Sequence, residues 1–448
     1  MSDNNRLSDD RLRTHDFTSE PHEYNPRRIY SKSATDHLGQ VDFNRLRKDR
    51  LEKTRERMKE EGLGALLLFA GENIRYATGS YQGNWKYNIF IRYAVIPRDG
   101  DPVLFETVGS DLIRSEIDLP WIDDVRPAMT WRWAEGAEPM MAEKMADSVV
   151  EVLEEHDVAD EPIGVDAYDQ TAYEWLQDAG LQLENAWNVM SKARVRKTPD
   201  ELELLKLSAS YGDGAMWRAM NEWTKPGIPE KEITAKVNKY LYSSGFDHVY
   251  DIIVASGGRT NPYGRWATDK ILRQGDLVIC DINAVGPGGY FIDYVRTWKV
   301  DADPTDEEIA LYEQCYDQLY RAIEQLQPGN TTKDVAEEFR EYDDDEHGSV
   351  SIQQAAHSIG ISLYEGMWMS RAYSLDYPAD IEEGMYFAIE TFAGHQGLDQ
   401  TVRLEENVMV TDEGPVITTL CEHPDYFTDH FDHRGYDFLK EQPGHGPA

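Results

Sequence analysis

The stretch Asp276–Val300, DLVICDINAVGPGGYFIDYVRTWKV, has an apolar run on each side of a Gly-Pro-Gly-Gly turn, and this predicts an antiparallel hairpin. Asp281 and Asp293 lie six residues either side of Pro287. A turn centred on that proline would place the two acids opposite each other, with Cβ atoms roughly 5 Å apart. Two such carboxylates in apolar surroundings repel each other, and divalent cations would compensate their charge. A solvated hairpin with two exposed acids is the alternative.

Three later residues strengthen the metal interpretation. His357 ends an apolar stretch, and Glu390 (in MYFAIETF) and Glu405 (in TVRLEENVMV) lie inside apolar runs, where an acid is costly unless it is neutralised. Arg403 lies two residues before Glu405, on the same face of a strand, so a salt bridge could account for one acid. Four acids and one histidine fit a divalent metal site better. The predicted ligands are Asp281, Asp293, His357, Glu390 and Glu405.

The order and spacing of these five residues resemble the pita-bread metallohydrolases, the family of methionine aminopeptidase, prolidase and aminopeptidase P. The similarity runs from about Lys197 to Leu420 and includes Asp293-Tyr-Val-Arg-Thr297, His357-Ser-Ile-Gly-Ile361 and Val402-Arg-Leu-Glu-Glu406. It implies an α+β catalytic domain, a curved antiparallel sheet with pseudo-two-fold symmetry and helices. It also implies two divalent metal ions (Mn, Fe, Co or Zn) with a bridging water.

The same resemblance implies roles for three residues. Glu390 corresponds to the general base of the family, and Arg403 would orient the carboxylates, with a plain salt bridge as the alternative. Glu365 would assist catalysis or act in a purely structural way. The expected reaction is hydrolysis of a C–N bond in a dipeptide or another small molecule, as in the Xaa-Pro peptidases.

Several positions depart from that pattern. Proline-directed peptidases usually carry a histidine where this chain has Gly264 and another where it has Tyr364. The segment Ala255–Pro262 looks instead like the branch of the family that cleaves dimethylsulfoniopropionate. That branch has an aspartate where this chain has Asn283 and an acidic base where it has Leu363. Altered peptidase specificity, a lyase acting on a small zwitterionic osmolyte, and a non-catalytic binding protein therefore stay open.

Aromatic residues are candidates for the substrate pocket. Trp85, Tyr364 and Trp368 could line it together with Asn283, and an aromatic wall would suit a cationic substrate. A place in the core or in a dimer interface is the alternative for the aromatic residues.

Domain boundaries follow changes in pattern. Residues 1–40 form a polar arm, residues 41–196 alternate helix and strand signals, and residues 433–448 form a loose tail. The second domain, residues 197–432, opens with Thr198-Pro-Asp-Glu201, a helix capping box. The resemblance implies that residues 41–196 are a creatinase-type α/β domain, often used in dimerisation, so a homodimer is expected.

Composition narrows the class of protein. The chain of 448 residues has 45 Lys and Arg against 83 Asp and Glu, a formal charge of −38, so binding to nucleic acid or an anionic membrane is disfavoured. Such a surface is typical of salt-adapted proteins. Three cysteines without a CxxC pair and the lack of a long apolar run predict a cytoplasmic protein without membrane spans.

Overall fold

A computed structural model describes residues 40–81, 89–341, 355–395 and 397–431. The chain divides into two compact units, Met1–Arg194 and Val195–Ala448. Apart from Gln40, the predicted arm lies outside the described residues, and so does the predicted tail. Within the described ranges, no helix has both the length and the apolar character needed to cross a membrane.

The first unit is a mixed sheet with helices. Its strands follow the order β4-β3-β2-β1-β5-β6, in which β1 pairs antiparallel with β2 and parallel with β5. The elements are α1 (Phe43–Glu60), β1 (Ala65–Leu68), α2 (Gly71–Thr78), β2 (Tyr93–Pro97), β3 (Val103–Glu106), α3 (Ser110–Asp118), β4 (Asp124–Pro127), α4 (Glu138–Glu155), β5 (Ile163–Val165), α5 (Gln170–Asp178), β6 (Leu183–Asn185) and α6 (Trp187–Val195).

The burial of the central strand β1 explains its apolar sequence. All four residues of β1 are buried, so the run ALLL needs no polar alternation. Met145, Val149 and Val152 of α4 pack in the same core. Strands β2 and β3 pair antiparallel beside β1.

The two longest helices of the second unit begin with capping boxes, the predicted one at Thr198 and another at Thr305. Thr198 caps α7 with Glu201, and Thr305 caps α9 with Glu308, so each helix start satisfies its own backbone amides. The helices are α7 (Pro199–Arg218), continued by a π-helical turn (Ala219–Trp223), α8 (Glu230–Ser243), α9 (Asp306–Glu324), α10 (Thr332–Glu337) and α11 (Asp425–Thr428).

Two antiparallel sheets complete the second unit. One has the order β7-β8-β9 and packs against α7 and α8, whereas the other has the order β11-β10-β12-β13-β14 and packs against α9. The strands are β7 (His248–Ser256), β8 (Leu277–Val285), β9 (Phe291–Lys299), β10 (Ala356–Ser358), β11 (Trp368–Met369), β12 (Tyr386–Ala393), β13 (Val402–Thr411) and β14 (Gly414–Ile417).

The two sheets meet along β9 and β13. The Thr297 hydroxyl donates to the carbonyl of Arg403 at 2.6 Å and accepts from its amide at 3.1 Å. The side-chain amide of Asn407 donates to the carbonyl of Asp293. These bonds place the strand that carries Asp293 beside the strand that carries Glu405.

Candidate metal centre

The hairpin of β8 and β9 forms as predicted, but the predicted pairing of its two acids is wrong. Asp293 lies opposite Asn283, and Asp281 lies opposite Val295. The turn is centred on Gly288 because Gly288 and Gly289 both take left-handed backbone angles, with φ of 69° and 89°. Asp281 and Asp293 are therefore diagonal neighbours on one face, a relation that typically separates Cα atoms by about 7–8 Å.

A second strand pair brings two more acids together. Glu390 on β12 and Glu405 on β13 are direct cross-strand partners. Both are buried, as are Asp281, Asp293 and His357. Because side chains alternate along a strand, Arg403, two residues before Glu405, lies on the same face of β13 as Glu405.

Three of the five predicted ligands form a close cluster. Asp293, His357 and Glu405 each offer a ligand atom, and these atoms all lie within 4.8 Å of one another. Nε2 of His357 is 3.3 Å from Oδ2 of Asp293. Among the described residues, these three form the one group of His, Cys, Asp or Glu side chains in which at least three lie close enough to share a cation.

The cluster has unsatisfied buried atoms that fit a cation. Both carboxylate oxygens of Glu405 and Nε2 of His357 are buried without a hydrogen-bond partner in the described part of the chain. Buried polar atoms without partners are rare and need a physical explanation. A borderline divalent cation accepts imidazole nitrogen and carboxylate oxygen together, so the donor set suits it.

Electrostatics agree with this fit. Burial raises the pKa of Glu405 well above its usual range, and the negative charges of Asp293 and Glu390 add to the effect. Burial also raises the pKa of Asp281 to about 8, although Arg403 opposes the shift. A cation would supply the positive charge that these carboxyl groups lack.

Asp281 and Glu390 are held by a different group. Arg403 donates from Nη1 to Oδ2 of Asp281 at 2.8 Å and from Nε to Oε2 of Glu390 at 3.0 Å. Asn283 donates to the other oxygen of Asp281 at 2.5 Å. Arg403 therefore contacts two predicted ligands, an arrangement that fits both the orienting role and the plain salt bridge.

Two predicted substrate contacts lie beside His357. Trp368 is its cross-strand partner between β10 and β11. The Tyr364 ring meets the His357 ring edge-on at 4.6 Å and stacks on Trp368 at 5.2 Å. Tyr364 and Trp368 are 47% and 49% exposed, so they form an accessible aromatic pair next to the cluster. Trp85 lies outside the described residues.

Glu365 is engaged elsewhere. Its Oε1 accepts from Nζ of Lys197 at 2.6 Å, and both side chains are almost fully buried. Its Oε2 accepts from the amide of Ser362. These contacts favour the structural role for Glu365 over direct assistance in catalysis.

Tyr263 was not singled out from the sequence. Its ring lies 4.8 Å from the Arg403 guanidinium and packs on Phe392. Burial raises the pKa of Tyr263, and the charge of Glu390 raises it further. The signal available in the sequence was its position next to Gly264, where peptidases of this kind carry a histidine.

Comparisons with known proteins agree with both units. Residues 203–412 match the metallopeptidase family M24, and residues 50–195 match the creatinase/prolidase N-terminal domain. A solved Xaa-Pro dipeptidase from Bacillus anthracis has a similar fold, with a TM-score of 0.69, 20% identity and coverage of 84% of this chain and 98% of that one. The dipeptidase PepE from Mycobacterium ulcerans also has a TM-score of 0.69, at 22% identity over 86% of this chain and 98% of that one. The predicted fold class is confirmed.

Two relatives in sequence point to different chemistry. The dimethylsulfoniopropionate lyase DddP of Roseovarius nubinhibens is 23% identical over 401 residues, 86% of this chain and 88% of that protein. The Xaa-Pro dipeptidase of Pyrococcus furiosus is 31% identical over 241 residues, 52% of this chain and 66% of that protein. The chain belongs to the pita-bread metallopeptidase family M24, with a creatinase/prolidase domain before the catalytic domain.

Proposed function

We propose that this protein is a hydrolase that depends on two divalent metal ions and cleaves a C–N bond in a small substrate, such as a dipeptide or small amide. The convergence of Asp293, His357 and Glu405, with buried atoms that lack partners, carries this proposal. Asp281 and Glu390 complete the proposed ligand set from the positions that Arg403 holds. Bound metal ions of this kind lower the pKa of water and polarise a substrate carbonyl.

The residues of the chain would then have distinct tasks. Glu390 would take and return a proton at its carboxylate, while Arg403 keeps that carboxylate oriented through its contact with Oε2. Tyr364 and Trp368 would contact the substrate from the exposed side of His357. Asn283 would act through Asp281, since it donates to that carboxylate.

Hydrolysis is favoured over elimination by the groups near Tyr364. An elimination needs a base to remove a proton from carbon, and the position expected for it holds Leu363, which is apolar and buried. Glu365 is paired with Lys197. Burial and the four nearby carboxylates raise the pKa of Tyr364 well above its usual range, so its hydroxyl stays protonated at neutral pH and does not supply the base.

A lyase acting on a small zwitterionic osmolyte is the second candidate. The alignment with DddP covers most of both chains, whereas the alignment with the prolidase covers about half of this one. The exposed aromatic pair also offers ring faces to an onium group. In this reaction the substrate would lose a proton and a neutral leaving group, forming an alkene without the addition of water.

Product analysis separates the two candidates. Purified protein loaded with Mn²⁺ would be assayed in high salt against Xaa-Pro dipeptides, other dipeptides, dimethylsulfoniopropionate and ectoine. We expect a new amine and a new carboxylate, with oxygen from labelled water in the carboxylate. An alkene without label would support the lyase instead. If none of these compounds is turned over, the remaining interpretation is a non-catalytic binding protein.

Proton release should accompany cation binding. The metal-free protein keeps protons on Glu405 and Asp281 because burial raises both pKa values, that of Asp281 to about 8. A cation competes with those protons, so the apparent affinity for Mn²⁺ should rise with pH up to about 8. Calorimetric titration in two buffers of different protonation enthalpy measures the release. An affinity independent of pH below that value would contradict the expectation.

The quaternary structure and the compartment belong to the same proposal. We infer a cytoplasmic homodimer: the creatinase/prolidase N-terminal domain supports the dimer, and three cysteines without a CxxC pair support a reducing compartment. Light scattering of the full chain in high salt measures the mass in solution, for comparison with 51.3 kDa for one chain.

A further inference from the structure

We propose that Lys197 is a positioning residue for the aromatic pair: through Glu365 it fixes the loop of residues 358–367 and so holds Tyr364 against His357 and Trp368. This inference rests on the proposed function, because it assigns the aromatic pair to substrate recognition. The family resemblance did not single out Lys197, which lies directly before the capping box of α7.

The ion pair is buried on both sides. The Lys197 and Glu365 side chains are 0% and 1% exposed, and Nζ lies 2.6 Å from Oε1. In such surroundings each charge is costly without the other, so the pair resists separation. Lys197 is itself anchored, since its amide donates to the carbonyl of Gly384 at 2.7 Å.

Glu365 organises the loop around its own carboxylate and backbone. Its Oε2 accepts from the Ser362 amide at 3.2 Å, and its amide donates to the carbonyl of Ser358 at 3.0 Å. Its carbonyl accepts from the Met367 amide at 2.7 Å. Glu365 therefore joins both ends of the loop through hydrogen bonds, and the ion pair with Lys197 fixes the position of Glu365.

Tyr364 responds directly to the position of Glu365, its neighbour in the chain. Glu365 points inward and is 6% exposed, whereas Tyr364 is 47% exposed with its ring between those of His357 and Trp368. His357 itself belongs to β10 and pairs with β12, outside the loop. A shift of the loop should thus disturb the aromatic pair more than the cation ligands.

Gly360 gives a way to displace the pair without removing a charge. A Cβ atom there would lie 1.9 Å from Oε1 of Glu365 and 3.1 Å from Cε of Lys197. Gly360→Ala therefore pushes the carboxylate from its position, and both charged side chains remain. Gly258→Ala is the matched control, since its nearest contact would be an ordinary 3.5 Å.

The first measurement is the near-ultraviolet circular dichroism of the full chain. Because the chain has 11 Trp, the contribution of the pair is obtained by subtracting the spectrum of Trp368→Phe. We expect Gly360→Ala to lose this contribution and Gly258→Ala to keep it. The affinity for Mn²⁺ should stay within about twofold in both, because neither substitution replaces a ligand or a group that hydrogen-bonds to one.

The second measurement uses whichever compound of the substrate panel the wild-type protein cleaves. Gly360→Ala should raise KM by about tenfold and leave kcat within about threefold, the pattern of lost uniform binding. If the wild type cleaves nothing, the proposed function fails, while the spectra and the Mn²⁺ titration still decide the role of Lys197.

Two results would overturn the inference. One is an unchanged Trp368 contribution in Gly360→Ala, and the other is a fall in Mn²⁺ affinity as large as the change in KM. Should Gly360→Ala not fold, Glu365→Asp repeats the test, since it keeps the charge and shortens the reach to Lys197. The double variant Lys197→Met/Glu365→Gln removes both charges of the buried pair together. We expect it to fold but to lack the Trp368 contribution, because the loop is no longer fixed by the ion pair.

Discussion

Glu405→Gln is expected to abolish high-affinity Mn²⁺ binding and, with it, any turnover. The substitution keeps the shape of the side chain but removes the negative charge and one of two oxygens that have no partner among the described residues. A ligand present at 100 times its Kd stabilises a folded protein by about 2.7 kcal/mol. That metal-dependent gain in the free energy of unfolding should vanish in the variant, as should the activity.

The metal-free variant should be no less stable than the metal-free wild type. Glu405 is a buried acid whose pKa burial raises, so folding near neutral pH requires it to take up a proton, a cost that glutamine does not carry. Urea unfolding with EDTA and with Mn²⁺ gives both quantities. Glu413→Gln is the matched control, because Glu413 is an exposed acid in the turn after β13. Normal Mn²⁺ binding by Glu405→Gln would refute the assigned centre, and Asp293→Ala tests the same centre from β9.

The hairpin shows how far sequence reasoning reaches. The two apolar runs and the glycine-rich turn predicted both strands, and β8 and β9 form with those residues. The register depended on which turn residue lies at the centre, and the letters Gly-Pro-Gly-Gly do not determine that. Left-handed angles at Gly288 and Gly289 moved the centre by one residue, which changed facing acids into diagonal ones and placed Asn283 opposite Asp293.

Glu405 and Glu406 show a second limit. Both are buried neighbours in one strand, so alternation predicts that they face opposite sides. Burial opposes ionisation of Glu406 too, but Arg296 and His423 lower its pKa to about 2, whereas Glu405 shifts upward. No local pattern around Glu-Glu reveals this difference, because Arg296 comes from β9 and His423 from beyond β14. The apolar setting and the order of ligands in the resemblance both pointed to Glu405, but neither reveals how differently the two neighbours are paired.

The contacts of Glu365 with Lys197 and of Arg403 with Tyr263 could not be predicted from the sequence either, because these partners are distant along the chain. Lys197 is 168 residues from Glu365, and Tyr263 reaches Arg403 from the loop after β7. Contacts of this kind depend on how the two sheets and their loops pack. Residue type and spacing therefore predicted a set of ligands, whereas the groups that hydrogen-bond to them depend on the tertiary structure.

Arg403→Met is expected to destabilise the metal-free protein by about 3–5 kcal/mol, the usual result of removing one partner from a buried charge pair. Arg403 contacts both Asp281 and Glu390, so two buried acidic side chains lose their positively charged partner at once. Methionine fills much of the same volume, which limits the contribution from a cavity. The free energy of unfolding in urea with EDTA measures the loss.

The effect of Mn²⁺ on the stability of Arg403→Met distinguishes a ligand-orienting role of Arg403 from a plain salt bridge. If Arg403 orients ligands of a metal site, cations should recover a large part of the lost stability, because they compensate the same carboxylates. A plain structural salt bridge would show the same loss with and without Mn²⁺. Arg321→Met is the control: Arg321 is 43% exposed and pairs with Asp317 at 2.9 Å, so its loss should cost less than about 1 kcal/mol. Recovery by Mn²⁺ in Arg403→Met alone would therefore connect Arg403 to the cations and separate it from the ordinary ion pairs of this acidic protein.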